Sequence, residues 1–300
     1  MHRLGRFKAL AAAGIAVFSV FLGSAPARAE PGLWVARGPH ATVYLFGTVH
    51  LLRKDQAWET PAVAHALAAS YELWLEVPNV DDAKAARTLT TQLGFDRDHP
   101  LSTKLPSQDL ARLDAAARSV GISDGEKMLE PMRPWLASVV LDDAFAAHAG
   151  YDAGSGVDRQ LSVEAKAAGK TVRGFETLDQ QIHFFADLTP PLELNLLEST
   201  LRDFDKGAAM LEALERAWTD GDDAAISRLM VDDLKKPTPE LYQVILVDRN
   251  ESFAKAIAVM VEGSGVHFVA VGAAHLAGSD SLQTKLAARG IQVERVLPSR

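Results

Sequence analysis

Two tetrapeptides, Gly47-Thr48-Val49-His50 and Gly272-Ala273-Ala274-His275, each place a histidine three residues after a glycine and just beyond an apolar run. The runs, Val43 to Phe46 and Val266 to Val271, are short, rich in β-branched and aromatic residues, and read as buried strands. Each imidazole then stands past a strand's carboxyl end, where open α/β sheets hold their ligands. Glu76 closes a third such run, Tyr71 to Val77, and Glu176 follows a fourth, Lys170 to Phe175. A carboxylate at the end of an apolar strand is costly to bury without a partner.

Two imidazoles and one carboxylate, with a position left for water, are the ligand set of a hydrolytic metal site. His50, Glu76 and His275 are therefore the candidate ligands, and Glu176 is by position the candidate base or a further ligand. At this level the two glutamates can exchange roles. The chain has no cysteine, so a divalent ion would be held by nitrogen and oxygen, which favours Zn, Mn or Co over a soft-metal site. Blander readings compete: Glu76 as a helix-capping carboxylate, Glu176 as an acid at a helix start, Asp158 as an ordinary first-turn residue and Arg249 as a solvated helix charge. No HExxH helix, G-x-S-x-G elbow, P-loop or GxGxxG is present. His40, His65, His99, His148, His183 and His267 read as structural or surface residues on turns or helices.

Positioning four strand ends together requires a sheet. Leu33 to Arg37 and Thr42 to Phe46 alternate around Gly38-Pro39-His40, which predicts an opening hairpin. Pro61 starts a helix that runs to Ala69. Helical patterns follow at Ala83–Leu93, from Pro106-Ser107-Gln108-Asp109 to Val120, and over Pro134–Ala149. Tyr151 to Gly156 reads as a loop and Val157 to Ala168 as a helix. Asp179 to Lys236 is helix-rich with a junction at Gly221-Asp222-Asp223, and Glu240 to Glu262 reads as one long amphipathic helix. A helix over Ser281–Arg289 and a strand over Gln292–Leu297 close the chain. The fold class is α/β: one central mixed or mostly parallel sheet with flanking helices, carrying helical insertions at about 81–150 and 179–262.

Residues 1–29 have the pattern of an export signal, with Arg3, Arg6 and Lys8 before the apolar Ala9–Gly23 and a small-x-small site at Ala27-Arg28-Ala29. Cleavage there starts the mature protein at Glu30, in the periplasm or outside the cell. The segment carries four basic residues and no acidic one, so its removal takes the net charge from −8 to −12. Such an acidic surface argues against nucleic acid and anionic membranes as partners, leaving a peptide or small-molecule substrate.

The ordered segments Phe46-Gly47-Thr48-Val49-His50, Leu75-Glu76-Val77, Arg133-Pro134-Trp135, Gly156-Val157-Asp158, Gly174-Phe175-Glu176-Thr177, Asp248-Arg249-Asn250 and Val271-Gly272-Ala273-Ala274-His275-Leu276 resemble the TraB/GumN family, whose animal members are the Tiki metalloproteases. The resemblance spans about Leu33 to Leu297; Phe175 stands where the family usually has leucine. It implies a fold like that of the erythromycin esterases and the haem-uptake protein ChaN. For the Tiki branch it implies a metal-dependent peptidase that uses the two GxxH histidines and glutamate. It also raises Asp158 and Arg249 to candidate catalytic residues, Arg249 as an oxyanion or carboxylate partner. Three functions fit: an exported metal-dependent hydrolase, most readily a peptidase; a metal-free esterase-like hydrolase with His50 activating water; and a non-catalytic ligand- or peptide-binding protein.

Overall fold

The computed structural model describes residues 30–79, 82–236 and 238–297, so residues 1–29, expected to be an export signal, lie outside the described residues. Eight strands are present among the described residues: β1 (Leu33–Arg37), β2 (Ala41–Thr48), β3 (Leu52–Arg53), β4 (Glu72–Leu75), β5 (Tyr151–Asp152), β6 (Thr171–Gly174), β7 (Gly265–Gly272) and β8 (Val293–Arg295). Six of them form one sheet in the order β6-β4-β7-β2-β1-β8. β6, β4, β7 and β2 run parallel, while β1 pairs antiparallel with both β2 and β8, so the sheet is mixed. The β1–β2 hairpin turns at Gly38, where a Cβ would stand 1.8 Å from the Val261 carbonyl oxygen, a contact that only glycine permits.

Strand alternation divides the core between the two faces of the sheet. Phe46, Leu73 and Phe268 pack on one face with Leu67, Val157, Leu161 and Trp218. Their neighbours Leu45 and Val269 turn to the other face, with Val43 and Val271, and meet Phe253, Ile257, Leu282 and Leu286. Burying each of these large side chains is worth about 1.5–3 kcal/mol, which fixes the strand register. A third cluster, including Leu101, Leu113, Trp135, Leu141 and Leu197, belongs to the helical segments alone. There helix Pro134–His148 packs on helix Pro190–Asp203.

Helix ends follow local chemistry. Thr60 caps helix Pro61–Ala69 by accepting the Val63 amide, and Thr177 with Gln180 forms a reciprocal capping box at helix Leu178–Ala186. Three expectations need correction. Tyr151–Asp152 is not loop but a short strand paired with β3, a partner too brief to show periodicity. The segment 240–262 is interrupted: a π-helical stretch, Gln243–Val247, separates helix Pro239–Tyr242 from helix Asp248–Glu262. His267 lies on β7 rather than on a turn or helix, and is buried against Glu72 at 2.8 Å. No helix among the described residues is long and apolar enough to cross a membrane.

Candidate active site at the strand ends

Register explains how residues 225 positions apart become neighbours. Thr48 pairs with Gly272 across β2 and β7, so His50 and His275 both leave the same rim, one strand apart. Glu76 follows β4 on the other side of β7. The ladder between β4 and β6 then continues through Phe175 N–H to Leu75 O (3.0 Å) and Glu176 N–H to Glu76 O (2.9 Å). The order of strands therefore sets Glu176, Glu76, His275 and His50 in a row. Gly272 lies at their centre: a Cβ built there would stand 3.2 Å from Glu76 Oε1, 3.7 Å from His50 Nε2 and 3.8 Å from His275 Cδ2.

Each imidazole is held from behind through Nδ1. His50 Nδ1 donates to Asp158 Oδ2 at 2.7 Å, and Asp158 Oδ1 accepts the Thr48 hydroxyl at 2.5 Å. Asp158, in the first turn of helix Val157–Ala167, is thus buried and turned inward rather than solvated. His275 Nδ1 meets Asn250 Oδ1 at 2.6 Å. The Asn250 amide nitrogen is committed to the carbonyls of Asp280 (2.8 Å) and His275 (3.4 Å), so its oxygen must accept and His275 Nδ1 must carry the proton. Both rings consequently direct Nε2 toward the site, the arrangement that second-sphere partners impose on metal-binding histidines.

Arg249 lies between the two glutamates. Its Nη2 donates to Glu76 Oε2 at 2.5 Å and to Glu176 Oε2 at 2.9 Å, Nε donates to Glu176 Oε1 at 2.8 Å, and Nη1 donates to the Ile245 carbonyl at 3.0 Å. Gln181 Nε2 also reaches both carboxylates, at 3.0 Å and 3.3 Å. Four of the five guanidinium N–H donors are therefore engaged, leaving at most one for a substrate anion. Glu76 Oε1 accepts the Gly272 amide at 2.7 Å and keeps one lone pair beside His275 Nε2, 3.5 Å away.

The charges respond to this packing. Asp158 above all, with help from Glu76, raises His50 to about 9 against the desolvation that opposes its charge. The ring nevertheless opens on the cavity, with 66% of its side-chain surface accessible. Burial pushes His275 down to about 4, so this imidazole is neutral near pH 7. Burial alone would raise Glu76, but His275, Arg249 and His50 outweigh it and hold the carboxyl below its usual range. The cluster contains three carboxylates, Glu76, Glu176 and Asp158, against the cations Arg249 and His50. One negative charge is left uncompensated.

A cavity of about 670 Å³ opens over this rim, within the roughly 300–1,000 Å³ range of small-molecule sites. Thr48, His50, Glu76, Arg249, Gly272 and His275 line its floor, and helix-borne apolar side chains such as Phe184, Leu211, Leu214 and Met230 line its walls. Glu176 is absent from that lining; it sits behind Arg249. Among the described residues no group of three or more His, Asp or Glu side chains is gathered tightly enough to hold a metal ion as it stands.

A family model matches residues 32–295, a span that contains every residue of this rim. The chain belongs to the TraB/PrgY/gumN family. A further relative is an uncharacterized protein of Treponema pallidum (strain Nichols), 22% identical over 269 residues that cover 84% of this chain and 79% of that protein. No solved structure matches. All six candidates from the TraB/PrgY/gumN segments, His50, Glu76, Asp158, Glu176, Arg249 and His275, lie in this one cluster. Sequence reasoning missed Thr48, Gln181 and Asn250. Thr48 and Asn250 stand inside segments that carry the family resemblance, where a hydroxyl or amide beside a histidine or arginine was the available signal; Gln181 had none.

Gly156 offers a direct check on the His50 support. Its φ of −56° suits any residue, but a Cβ would lie 2.3 Å from the His50 carbonyl oxygen. Gly156→Ala is expected to cost about 1–3 kcal/mol by forcing the His50 and Asp158 backbones apart. Thermal denaturation reads it; wild-type stability would show that the loop yields freely.

Proposed function

We propose that this protein is an exported metal-dependent hydrolase acting on a peptide or small-molecule substrate. The observation that carries the reading is the contact between His275 Nε2 and Glu76 Oε1. Because Asn250 keeps the proton on Nδ1 and burial keeps the ring neutral, a bare nitrogen lone pair faces a carboxylate lone pair at 3.5 Å. Two buried acceptors repel unless a positive species stands between them. The uncompensated negative charge of the cluster favours the same outcome.

In donor chemistry the residues fit a divalent ion of the Zn, Mn or Co type: His50 Nε2, His275 Nε2 and Glu76 Oε1 would hold it. Such an ion would supply Lewis acidity and lower the pKa of a water. The chain's own residues do the rest. Asp158 and Asn250 fix the two imidazoles, and the apolar walls exclude bulk water from the scissile bond. Arg249 and Glu176 act as a buried brace for Glu76. Glu176 is in this reading a positioning residue, since both its oxygens already accept from Arg249 and it does not line the cavity. Glu76 is the carboxylate on the cavity floor, and the remaining lone pair of its Oε1 is the one it would offer to the ion. In the metal-free alternative His50 is the base and must first shed the proton that Asp158 holds on it up to about pH 9; a metal ion at Nε2 would have to displace that same proton, so chelation and not protonation separates the two readings.

The test is elemental analysis of purified protein together with turnover of ester and peptide libraries, with and without chelator. His50→Ala and His275→Ala are each expected to lose bound metal and turnover, while His99→Ala, far from the site, loses neither. Glu76→Gln separates roles: metal kept with turnover lost makes Glu76 the base, and metal lost makes it a ligand. Undiminished turnover in chelator would end the metal reading. N-terminal sequencing of exported protein, expected to begin at Glu30, tests export.

A further inference from the structure

Two stretches among the described residues, Ser227–Asp232 and Gln243–Val247, are π-helical, a geometry that re-aims side chains and concentrates at functional sites. Both line the same cavity, the first through Met230 and the second through Ile245 and Leu246. Each is rooted in the core: Val231 and Leu246 are 3% and 4% exposed, whereas Met230 is 37% exposed and Ile245 half-buried. Phe184 from helix Leu178–Ala186 and Leu214 from helix Gly207–Thr219 extend the apolar surface, and both are only half-buried. The polar residues beside them are engaged elsewhere. Glu215 accepts from the Tyr151 hydroxyl (2.7 Å) and from Arg53 Nε (3.1 Å), Gln181 bonds the two glutamates of the floor, and Asp142 is exposed to solvent.

Large apolar side chains left facing an open cavity gain by being covered, and a concave surface of this kind marks a ligand site. The floor of the same cavity carries His50, Glu76 and His275, so what covers the wall is part of the molecule that reaches the floor. A charged group set against Phe184, Leu214, Met230 and Ile245 would lose its water without gaining a partner from any of them. We propose that the two π-helical stretches build a specificity pocket for a neutral apolar group next to the bond to be cut, so that the substrate is an ester or amide bearing a flexible aliphatic or aromatic group. An acyl chain and an apolar peptide side chain share this chemistry, and two substrate series tell them apart. The bond that is cut rests on the hydrolase reading; the preference of the pocket for apolar groups does not.

The two are tested separately on the full mature chain. Binding is measured by calorimetry in chelator, with butanol, hexanol and octanol as probes. Wild type is expected to bind about fourfold more tightly for each added methylene. Met230→Gln and Ile245→Ala, one in each π-helical stretch, should each weaken octanol by about threefold or more. Val259→Gln, which replaces an apolar side chain 69% exposed on helix Asp248–Glu262 and outside the cavity, should change nothing. No chain-length dependence in wild type, octanol affinity unaltered in either π-stretch variant, or an equal loss in Val259→Gln would each overturn the pocket. In the second arm, kcat/KM is followed along p-nitrophenyl acetate, butanoate, hexanoate and octanoate, and along peptide amides with Gly, Leu or Phe beside the scissile bond. A rise with acyl length assigns the pocket to acyl chains, and a rise from Gly to Leu or Phe assigns it to peptide side chains; turnover that stays flat along both series would overturn it as a specificity site. Absence of turnover throughout, alongside chain-length-dependent binding that Met230→Gln and Ile245→Ala weaken, would sink the hydrolase reading and leave the pocket standing.

Discussion

Arg249→Met is expected to be the most destabilising single change in the floor of the cavity. The guanidinium separates Glu76 from Glu176, whose side chains are 8% and 9% exposed, and it is the only side-chain cation that either carboxylate bonds among the described residues. Removing one partner of a buried ion pair costs about 3–5 kcal/mol, because the charge left behind stays desolvated. For a chain of this size that is a fall in Tm of roughly 10 °C. Acid should recover part of the loss, since protonating one glutamate relieves the repulsion. Arg249→Lys keeps the charge but cannot span two carboxylates, and should fall between the two. Thermal denaturation at pH 7 and pH 4 reads the series. A loss of less than 2 °C in Arg249→Met would mean that Gln181 and the Gly272 amide suffice to hold both carboxylates.

The second large effect is on the pH dependence of chelated protein. His275 is lowered from 6.5 to about 4, so the unfolded chain takes up a proton that the folded chain refuses between those values. Stability is therefore lost as pH falls from about 6.5 to 4, by up to about 3 kcal/mol. Glu76, held below 4.5, adds a further loss as pH falls past that value. On the alkaline side His50 acts in the opposite sense: its folded value, raised to about 9, gives stability below 6.5 that disappears as pH rises through 9. Maximum stability is thus expected near pH 6.5. Urea denaturation across pH 4–10 measures the curve. His275→Gln should flatten the acid arm and Asp158→Asn the alkaline arm. An acid arm unaltered in His275→Gln would show that His275 is not the group being titrated.

Most of the sheet was legible because its strands are short apolar runs closed by glycine or proline. The opening hairpin, helix Ala83–Leu93, helix Val157–Ala167 and β7 all fall within a residue or two of their expected limits. Where periodicity is absent, the reading failed: β3 and β5 are two residues each and exist through mutual pairing. The π-helical break before Arg249 was equally invisible. It changes which carbonyl each amide meets without changing composition, yet it places Ile245 and Leu246 in the cavity wall and gives Arg249 Nη1 its acceptor.

By itself the sequence determined the list of reactive groups, because strand ends, glycines and chargeable side chains are local features that one stretch of chain displays. Position along the chain named His50, Glu76, Glu176 and His275, and only the family resemblance added Asp158 and Arg249; neither could order their roles. Tertiary structure decided those roles through contacts between distant segments. Parallel pairing of β2 with β7 makes His50 and His275 neighbours. Asn250 chooses which His275 nitrogen bears the proton, and Arg249 withdraws Glu176 from the cavity while leaving Glu76 in it. The physical reason is that a tautomer, a pKa and a free lone pair belong to a side chain's surroundings, and those surroundings exist only after the sheet has closed its register.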